Sequence, residues 1–178
     1  MDIRDRATLE AGRLRVLFER RGDRIAHRIV WVDGEAEQPL LASVEGSPEQ
    51  DWPPSPALQE GRIETSSGRS VAMLVGMAGK SHWSMSVEAD TEANQLTFDV
   101  ACRVKKPDAE LQSTYRALVE AAGTPGSNPS LILGNLVEFL PSSGVALAAA
   151  TAELVLRAAI SMPRLPTTAR WSYVLRPN

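Results

Sequence analysis

Four polar residues of this 178-residue chain, His82, Ser84, Glu88 and Asp99, are of the types used in acid–base and nucleophilic catalysis. In a hydrolytic triad, histidine takes the proton of the serine hydroxyl and a carboxylate orients the histidine. His82 paired with Asp99 or Glu88 would also supply the acid and base of a small isomerase. Whether these side chains can act together depends on the elements that carry them.

The segment Ser81–Val104 is predicted to be a β-hairpin, because each arm alternates polar and apolar residues. A four-residue loop, 90–93, closed by Ala89 and Asn94, joins the two arms. This register collects the apolar side chains on one face, and the opposed pairs are Val87 with Leu96, Met85 with Phe98, and Trp83 with Val100.

The other face of this hairpin is polar. The same register places Ser84 opposite Asp99 and puts His82 within diagonal reach of that carboxylate. A flat strand face supplies neither a sharp nucleophile turn nor free backbone N–H groups for an oxyanion hole. We therefore expect a solvated or ligand-facing polar surface, with a hydrolase or isomerase that uses His82 as the alternative.

The single cysteine and the glycine-bearing stretch before the hairpin predict no cofactor. Cys102 continues the apolar row of the hairpin, so we expect a small buried residue with an unreactive thiol, and one cysteine makes neither an internal disulfide nor a zinc site. The tripeptide 79–81 resembles the end of a phosphate-binding loop, but Leu74 stands where the first glycine is required. We expect no metal and no nucleotide.

An earlier hairpin is predicted from Arg13–Glu19, which alternates strictly, followed by the turn pair Gly22-Asp23. This turn pairs Arg21 with Arg24, so the tripeptide 21–23 is interpreted as a turn and not as an adhesion motif. His27 falls on the apolar face and is expected to be a core residue. The other opposed pairs are Phe18 with His27, Val16 with Ile29, and Leu14 with Trp31.

Tryptophans supply most of the candidate ligand contacts. The segment 46–56 is rich in proline, which removes backbone donors, so we expect a long loop. Trp52 in this loop is either a plug over the core or an exposed contact residue. Trp52, Trp83 and Glu88 are the candidate ligand-binding residues.

A short strand is predicted at 40–45, and three further strands complete the β pattern. Residues 62–65 and 69–75 form another hairpin, and the second arm is apolar on both faces, which predicts a central strand covered on both sides. Residues 168–175 alternate strictly and predict the final strand.

The second half of the chain is ambiguous between helix and strand. Apolar residues recur at helical spacing over 108–122, and the alanine-rich segment 144–160 also favours a helix, although both segments fit strands as alternatives. We expect a Gly/Pro loop at 123–130 and one strand over 131–140, interrupted at Gly134 by a bulge.

Composition bounds the class of protein. The chain is 43% hydrophobic with a formal charge of −3, which predicts one core and argues against a nucleic-acid partner. It has no apolar run of the ~20 residues that a membrane span needs, and its first residues do not form a signal peptide, so we expect a soluble cytoplasmic protein without a membrane partner.

These observations predict a β-rich α+β fold over residues 1–178 as a single domain. The expected architecture is an antiparallel β-sandwich or partly closed barrel of about nine strands, with one or two helices in the C-terminal half. The favoured function is a binding or interaction module for a small apolar ligand or a protein partner. The alternatives are the small hydrolase or isomerase described above and a structural subunit that pairs as a homodimer.

Overall fold

The computed structural model describes residues 1–66, 69–107, 109–124, 130–142, 145–150, 152–158 and 164–178. Within these ranges the chain forms fifteen strands and no helix. The strands are β1 (Arg6–Ala11), β2 (Leu14–Arg21), β3 (Arg24–Asp33), β4 (Ala36–Ser43), β5 (Glu60–Ser66), β6 (Arg69–Ala78), β7 (Ser81–Asp90), β8 (Gln95–Val104), β9 (Gln112–Ala117), β10 (Ala121–Thr124), β11 (Ser130–Leu133), β12 (Val137–Pro141), β13 (Val145–Ala150), β14 (Glu153–Ala158) and β15 (Thr167–Pro177).

The strands form two antiparallel sheets. One sheet has the order β1-β2-β3-β4-β9-β14-β13, and the other has the order β10-β11-β12-β15-β8-β7-β6-β5. Each sheet has two edge strands, so neither closes into a barrel. The prediction of a mainly β, antiparallel protein is therefore confirmed, but the predicted number of about nine strands is too low, because the described ranges contain fifteen. No helix that could cross a membrane occurs in the described ranges.

The hairpin of β2 and β3 has the predicted register. Arg21 lies opposite Arg24, and Phe18 lies opposite His27. Gly22 has a positive φ of 62°, which a two-residue turn of this type requires and which glycine adopts without steric cost. Turn chemistry and hydrophobic pattern specify the same pairing here.

The predicted register of the β7–β8 hairpin is wrong by two residues. The loop is 91–94, closed by Asp90 and Gln95, and Asn94 adopts the positive φ of 51° that the turn needs. A shift of two keeps every side chain on its predicted face, because side chains alternate with a period of two. The observed pairs are Val87 with Phe98, Met85 with Val100, and Trp83 with Cys102.

The two predicted helices are wrong. The segment 108–122 contains β9 and the start of β10, and the segment 144–160 contains the hairpin of β13 and β14. Within these two segments, residues 108, 144, 151, 159 and 160 lie outside the described ranges. Strand β9 lies between β4 and β14 and buries Ser113, Thr114 and Tyr115 in succession. Sheet pairing on both sides therefore overrides the local helix preference.

The segment 131–140 is a hairpin and not a single bulged strand. Strands β11 and β12 pair with each other through a turn in which Gly134 and Asn135 have positive φ angles of 56° and 58°. The predicted loop 123–130 is shorter than expected, because its first two residues belong to β10 and its last residue belongs to β11. Residues 125–129 lie outside the described ranges.

Polar contacts link the two sheets inside the core. His27 Nε2 lies 2.8 Å from the Tyr115 hydroxyl, which lies 2.5 Å from the Tyr173 hydroxyl of the opposite sheet. The Trp171 indole N–H donates to Ser113 Oγ at 3.0 Å. His27 is only 4% exposed, and burial lowers its pKa to about 4, so it is the neutral core residue that its position on the apolar face predicts.

The Pro-rich loop packs between the sheets. Ser55 Oγ donates to the carbonyl of Thr114, the Ile25 amide donates to Leu58 O, and the Gln59 amide donates to Val75 O. Trp52 is half-buried against the core. The loop is therefore tied to one sheet by the Ser55 side chain, and the segment 57–59 that follows it is tied to both sheets by backbone hydrogen bonds.

Cys102 is fully buried, and burial raises the pKa of its thiol to about 12. We expect the folded protein to show no reaction with a thiol reagent such as 5,5′-dithiobis(2-nitrobenzoate), because the thiolate is the reactive form. One thiol per chain should react after unfolding in guanidinium. Rapid reaction of the native protein would show that β8 opens readily at this position.

Candidate ligand-binding surface

The side chains that point away from the core on β5, β6, β7, β8 and β15 form one continuous surface. No helix covers it in the part of the chain that the structure describes. The strand registers arrange the side chains in three rows: Glu60, Val75, Ser84, Ala101 and Arg170; Arg62, Met73, Ser86, Asp99 and Ser172; and Met77, His82, Arg103 and Thr168.

An apolar stripe runs along β6 through this surface. Val75 is 51% exposed and Met77 is 44% exposed. Met73, two residues before Val75 on the same face of the strand, is partly exposed. On the inner face of the same strand, Leu74 is buried. The prediction that this strand is covered on both sides is therefore wrong, because none of the described residues forms a second layer on the outer face.

Three adjoining surface cavities all include Val75. Their volumes are about 480, 590 and 380 Å³, and ligand pockets in proteins commonly have volumes of roughly 300–1,000 Å³. We call this combined surface, with Met73, Val75 and Met77 at its centre, the outer groove.

The rim of the outer groove is positively charged, although the protein as a whole carries a formal charge of −3. Arg20 donates to the backbone carbonyls of Arg4 and Gln59 and lacks a carboxylate partner among the described residues. Arg170 binds Asp99 through two hydrogen bonds. Five arginines lie here with three carboxylates, and they are Arg4, Arg20, Arg62, Arg103 and Arg170 with Asp2, Glu60 and Asp99.

The structure does not bring the proposed catalytic residues together. His82 lies opposite Arg103, and Asp99 lies opposite Ser86, four residues along β7 from His82. At about 3.3 Å per residue, these positions are roughly 13 Å apart. Asp99 is instead held by Arg170, with Arg170 Nε 2.7 Å from Asp99 Oδ1. A histidine–aspartate pair is thus absent from this face.

The remaining candidate residues have separate surroundings. Glu88 accepts a hydrogen bond from Arg69 Nη1 at 3.1 Å and lies six residues from His82 on the same strand. Trp83 is 2% exposed and packs edge-on against Trp171 at 6.1 Å. Among the described residues, no three His, Cys, Asp or Glu side chains lie close enough to hold a metal ion.

Two candidates from the sequence, His82 and Ser84, line one cavity of the outer groove with exposed side chains, whereas Trp83 borders this cavity but points into the core. The exposed residues Val75 and Met77 and the nearby Arg103 were missed. The signal for Val75 is the two-sided apolar pattern of residues 69–75, which from the sequence alone indicates burial. In a chain without a covering layer, the same pattern indicates an exposed apolar stripe.

No protein-family model matches the chain, and no curated protein is significantly similar to it. The class of protein is thus defined by the architecture and the site alone. It is a two-sheet antiparallel β protein with an apolar groove and a cationic rim on the outer face of its larger sheet.

Proposed function

We propose that this protein is a β-sandwich binding module that holds a small amphipathic molecule with an anionic head in the outer groove. The observation that carries this proposal is the exposure of Val75 and Met77 side by side on one strand face, inside adjoining cavities. Covering such apolar surface is favourable by roughly 25 cal/mol per Å². An apolar ligand body along β6 would gain this energy.

The packed core favours a site on the outer face. Large side chains from both sheets point into the core, and protein interiors packed in this way have few voids larger than a water molecule. An apolar ligand is therefore better accommodated on the outer face. The largest fully buried side chains include Phe18, Trp83, Phe98, Tyr115, Phe139 and Tyr173.

The cationic rim supports an anionic head. Arg103 lies one row from Val75 and beside Thr168, and it forms no ion pair with any described residue. A carboxylate, sulfonate or phosphate head would find the Arg103 guanidinium and the Ser84 and Thr168 hydroxyls on one side of the stripe.

The test is titration with 1-anilinonaphthalene-8-sulfonate, which joins apolar rings to a sulfonate. We expect the double variant Val75→Thr, Met77→Gln to bind this probe at least about tenfold more weakly, because roughly 1.4 kcal/mol of apolar contact is lost. The matched control is Leu118→Gln, since Leu118 is also 44% exposed but lies outside the groove. Probe fluorescence measures both affinities.

The charge of the head is tested with Arg103→Gln. This variant should weaken binding of the sulfonate probe and leave binding of an uncharged apolar dye unchanged. Equal binding by the wild-type protein and the double variant would contradict the proposal, and so would an equal loss in the Leu118→Gln control. Unchanged melting temperatures would verify that the variants are folded.

A further inference from the structure

A separate cavity of about 550 Å³ lies between the β2–β3 turn and the start of the Pro-rich loop. It shares no lining residue with the outer groove. We call it the arginine pocket, and its charged and hydroxyl-bearing members are Arg21, Asp23, Arg24, Ser43, Glu45 and Arg116.

Arg24 is a buried cation that the described residues satisfy incompletely. Only 2% of the residue is exposed, and its Nη1 donates to the carbonyl of Met77 at 3.2 Å. Its Nε is buried without a hydrogen-bond partner among the described residues, and the nearest carboxylate oxygen, on Asp23, is 3.6 Å away. A buried guanidinium with unmet donors favours an additional acceptor.

The other cations of the pocket add to this positive field. Arg116 is exposed and forms no ion pair within the described ranges. Arg21 contacts Glu19 at 3.4 Å, at the surface. Arginine forks match the two oxygens of a carboxylate or phosphate, and three arginines line this cavity.

Glu45 does not neutralise these arginines. Its carboxylate accepts a hydrogen bond from Ser43 Oγ, and Ser43 Oγ in turn accepts from the His27 amide at 2.8 Å. Burial raises the pKa of Glu45 to about 7, and Arg24 and Arg21 oppose that rise only partly. Below neutral pH Glu45 is mostly protonated, so the three arginines of the pocket outnumber its one other carboxyl group, that of Asp23.

We propose that the arginine pocket binds a small molecule through an oxyanion group, a carboxylate or a phosphate, with Arg24 and Arg116 as its cationic contacts. The site is independent of the proposed function of the outer groove. A negative binding result for one site would therefore not count against the other.

The experiment is calorimetric titration of the full chain with benzoate and with sulfate at constant ionic strength. Benzoate represents a carboxylate ligand and sulfate a tetrahedral phosphate-like ligand, so their relative affinities distinguish the two sources. We expect saturable one-site binding of at least one ion. Arg116→Gln should weaken it at least about tenfold, and the charge-preserving Arg24→Lys should also weaken it because the fork is lost.

Arg116→Gln is the decisive variant, because Arg116 is exposed and its replacement leaves the core intact. Arg24 also donates a hydrogen bond to the Met77 carbonyl, so its replacement could change the structure as well as the binding. The matched control is Arg157→Gln on β14, since Arg157 is exposed and lies outside the pocket. Loss of affinity only in the pocket variants would support the site. An equal loss in Arg157→Gln, or no saturable binding of either ion, would overturn it.

A pH series adds a second signature. Affinity for benzoate should fall between pH 6 and pH 8 in the wild-type protein, as Glu45 ionises beside the bound anion. The variant Glu45→Gln should retain its affinity at pH 8. A general attraction of anions to surface arginines predicts the same pH profile for both proteins, and this result would contradict the assigned role of Glu45.

Discussion

Replacement of Gly76 by alanine is expected to lower the free energy of unfolding by about 3 kcal/mol or more. A Cβ at this position would lie 2.0 Å from the carbonyl oxygen of Ala57 and 2.9 Å from the amide nitrogen of Gln59, and both are backbone atoms. The overlap can be relieved only if the segment 57–59 moves away from β6. That movement breaks the hydrogen bonds Gln59 N to Val75 O and Ile25 N to Leu58 O.

Urea unfolding of Gly76→Ala and of the control Gly123→Ala measures this effect. At Gly123 the nearest atom to an added Cβ is Leu131 Cδ2 at 3.1 Å, the end of a flexible side chain, so we expect a loss below about 1 kcal/mol. If Gly76→Ala fails to accumulate as folded protein while the control does, the expectation is met. Equal stability of the two variants would show that the loop does not approach β6 so closely.

The extent to which the fold could be predicted depended on the turns. In the β2–β3 hairpin, the pair Gly22-Asp23 specifies a two-residue turn, and the apolar pattern independently requires the same register. In the β7–β8 hairpin, two loop placements differ by two residues and bury the same side chains. The positive φ of Asn94 decides between them, and that conformation depends on contacts made after folding, including the Arg13 amide bonded to Asn94 Oδ1 at 3.2 Å.

The C-terminal half was predicted less well because its local preferences and its tertiary pairing disagree. The segment 145–158 is rich in alanine and leucine, which favour helix, yet it forms β13 and β14 and pairs with β9. The period-two alternation of Leu154 and Leu156, both buried, was the signal of the strand. For a short apolar segment, sheet neighbours far along the chain decide between the two structures.

The candidate sites were predictable only in part, because each combines residues that are distant in sequence. His82 and Ser84 were identified from the polar face of their strand, but the apolar stripe on β6 becomes a groove only when no layer covers it. The arginine pocket joins Arg24, Glu45 and Arg116 from three parts of the chain. No local pattern predicts that their side chains meet.

A buried histidine, His27, and a partly buried glutamate, Glu45, should give the stability of this protein opposing dependences on pH. Burial lowers the pKa of His27 from 6.5 to about 4, so the unfolded state binds the extra proton and stability falls as pH decreases from 6.5 to 4. Burial raises the pKa of Glu45 from 4.5 to about 7, so the folded state binds the extra proton and stability falls as pH increases from 4.5 to 7. Each effect is worth about 3 kcal/mol when complete.

In the wild-type protein these two contributions oppose each other between pH 4.5 and 6.5, the window in which both groups titrate. In Glu45→Gln only the His27 contribution remains, since glutamine can still accept the Ser43 hydrogen bond but does not ionise. We therefore expect the variant to match the wild-type protein near pH 4.5 and to exceed its unfolding free energy by about 3 kcal/mol at pH 8.

Urea unfolding of both proteins across pH 4 to 8 measures the difference between their unfolding free energies at each pH. Titrating groups that the two proteins share contribute equally to both values, so they cancel in this difference. The control is Glu49→Gln, because Glu49 is a fully exposed carboxylate in the Pro-rich loop whose pKa is lowered by its hydrogen bond from Ser47. That control should gain no stability at pH 8. Parallel profiles for Glu45→Gln and the wild-type protein would mean that Glu45 is hydrated in the folded state, and a hydrated Glu45 would be ionised at neutral pH. A gain confined to Glu45→Gln would mean that the fold retains a carboxyl group that destabilises it when ionised.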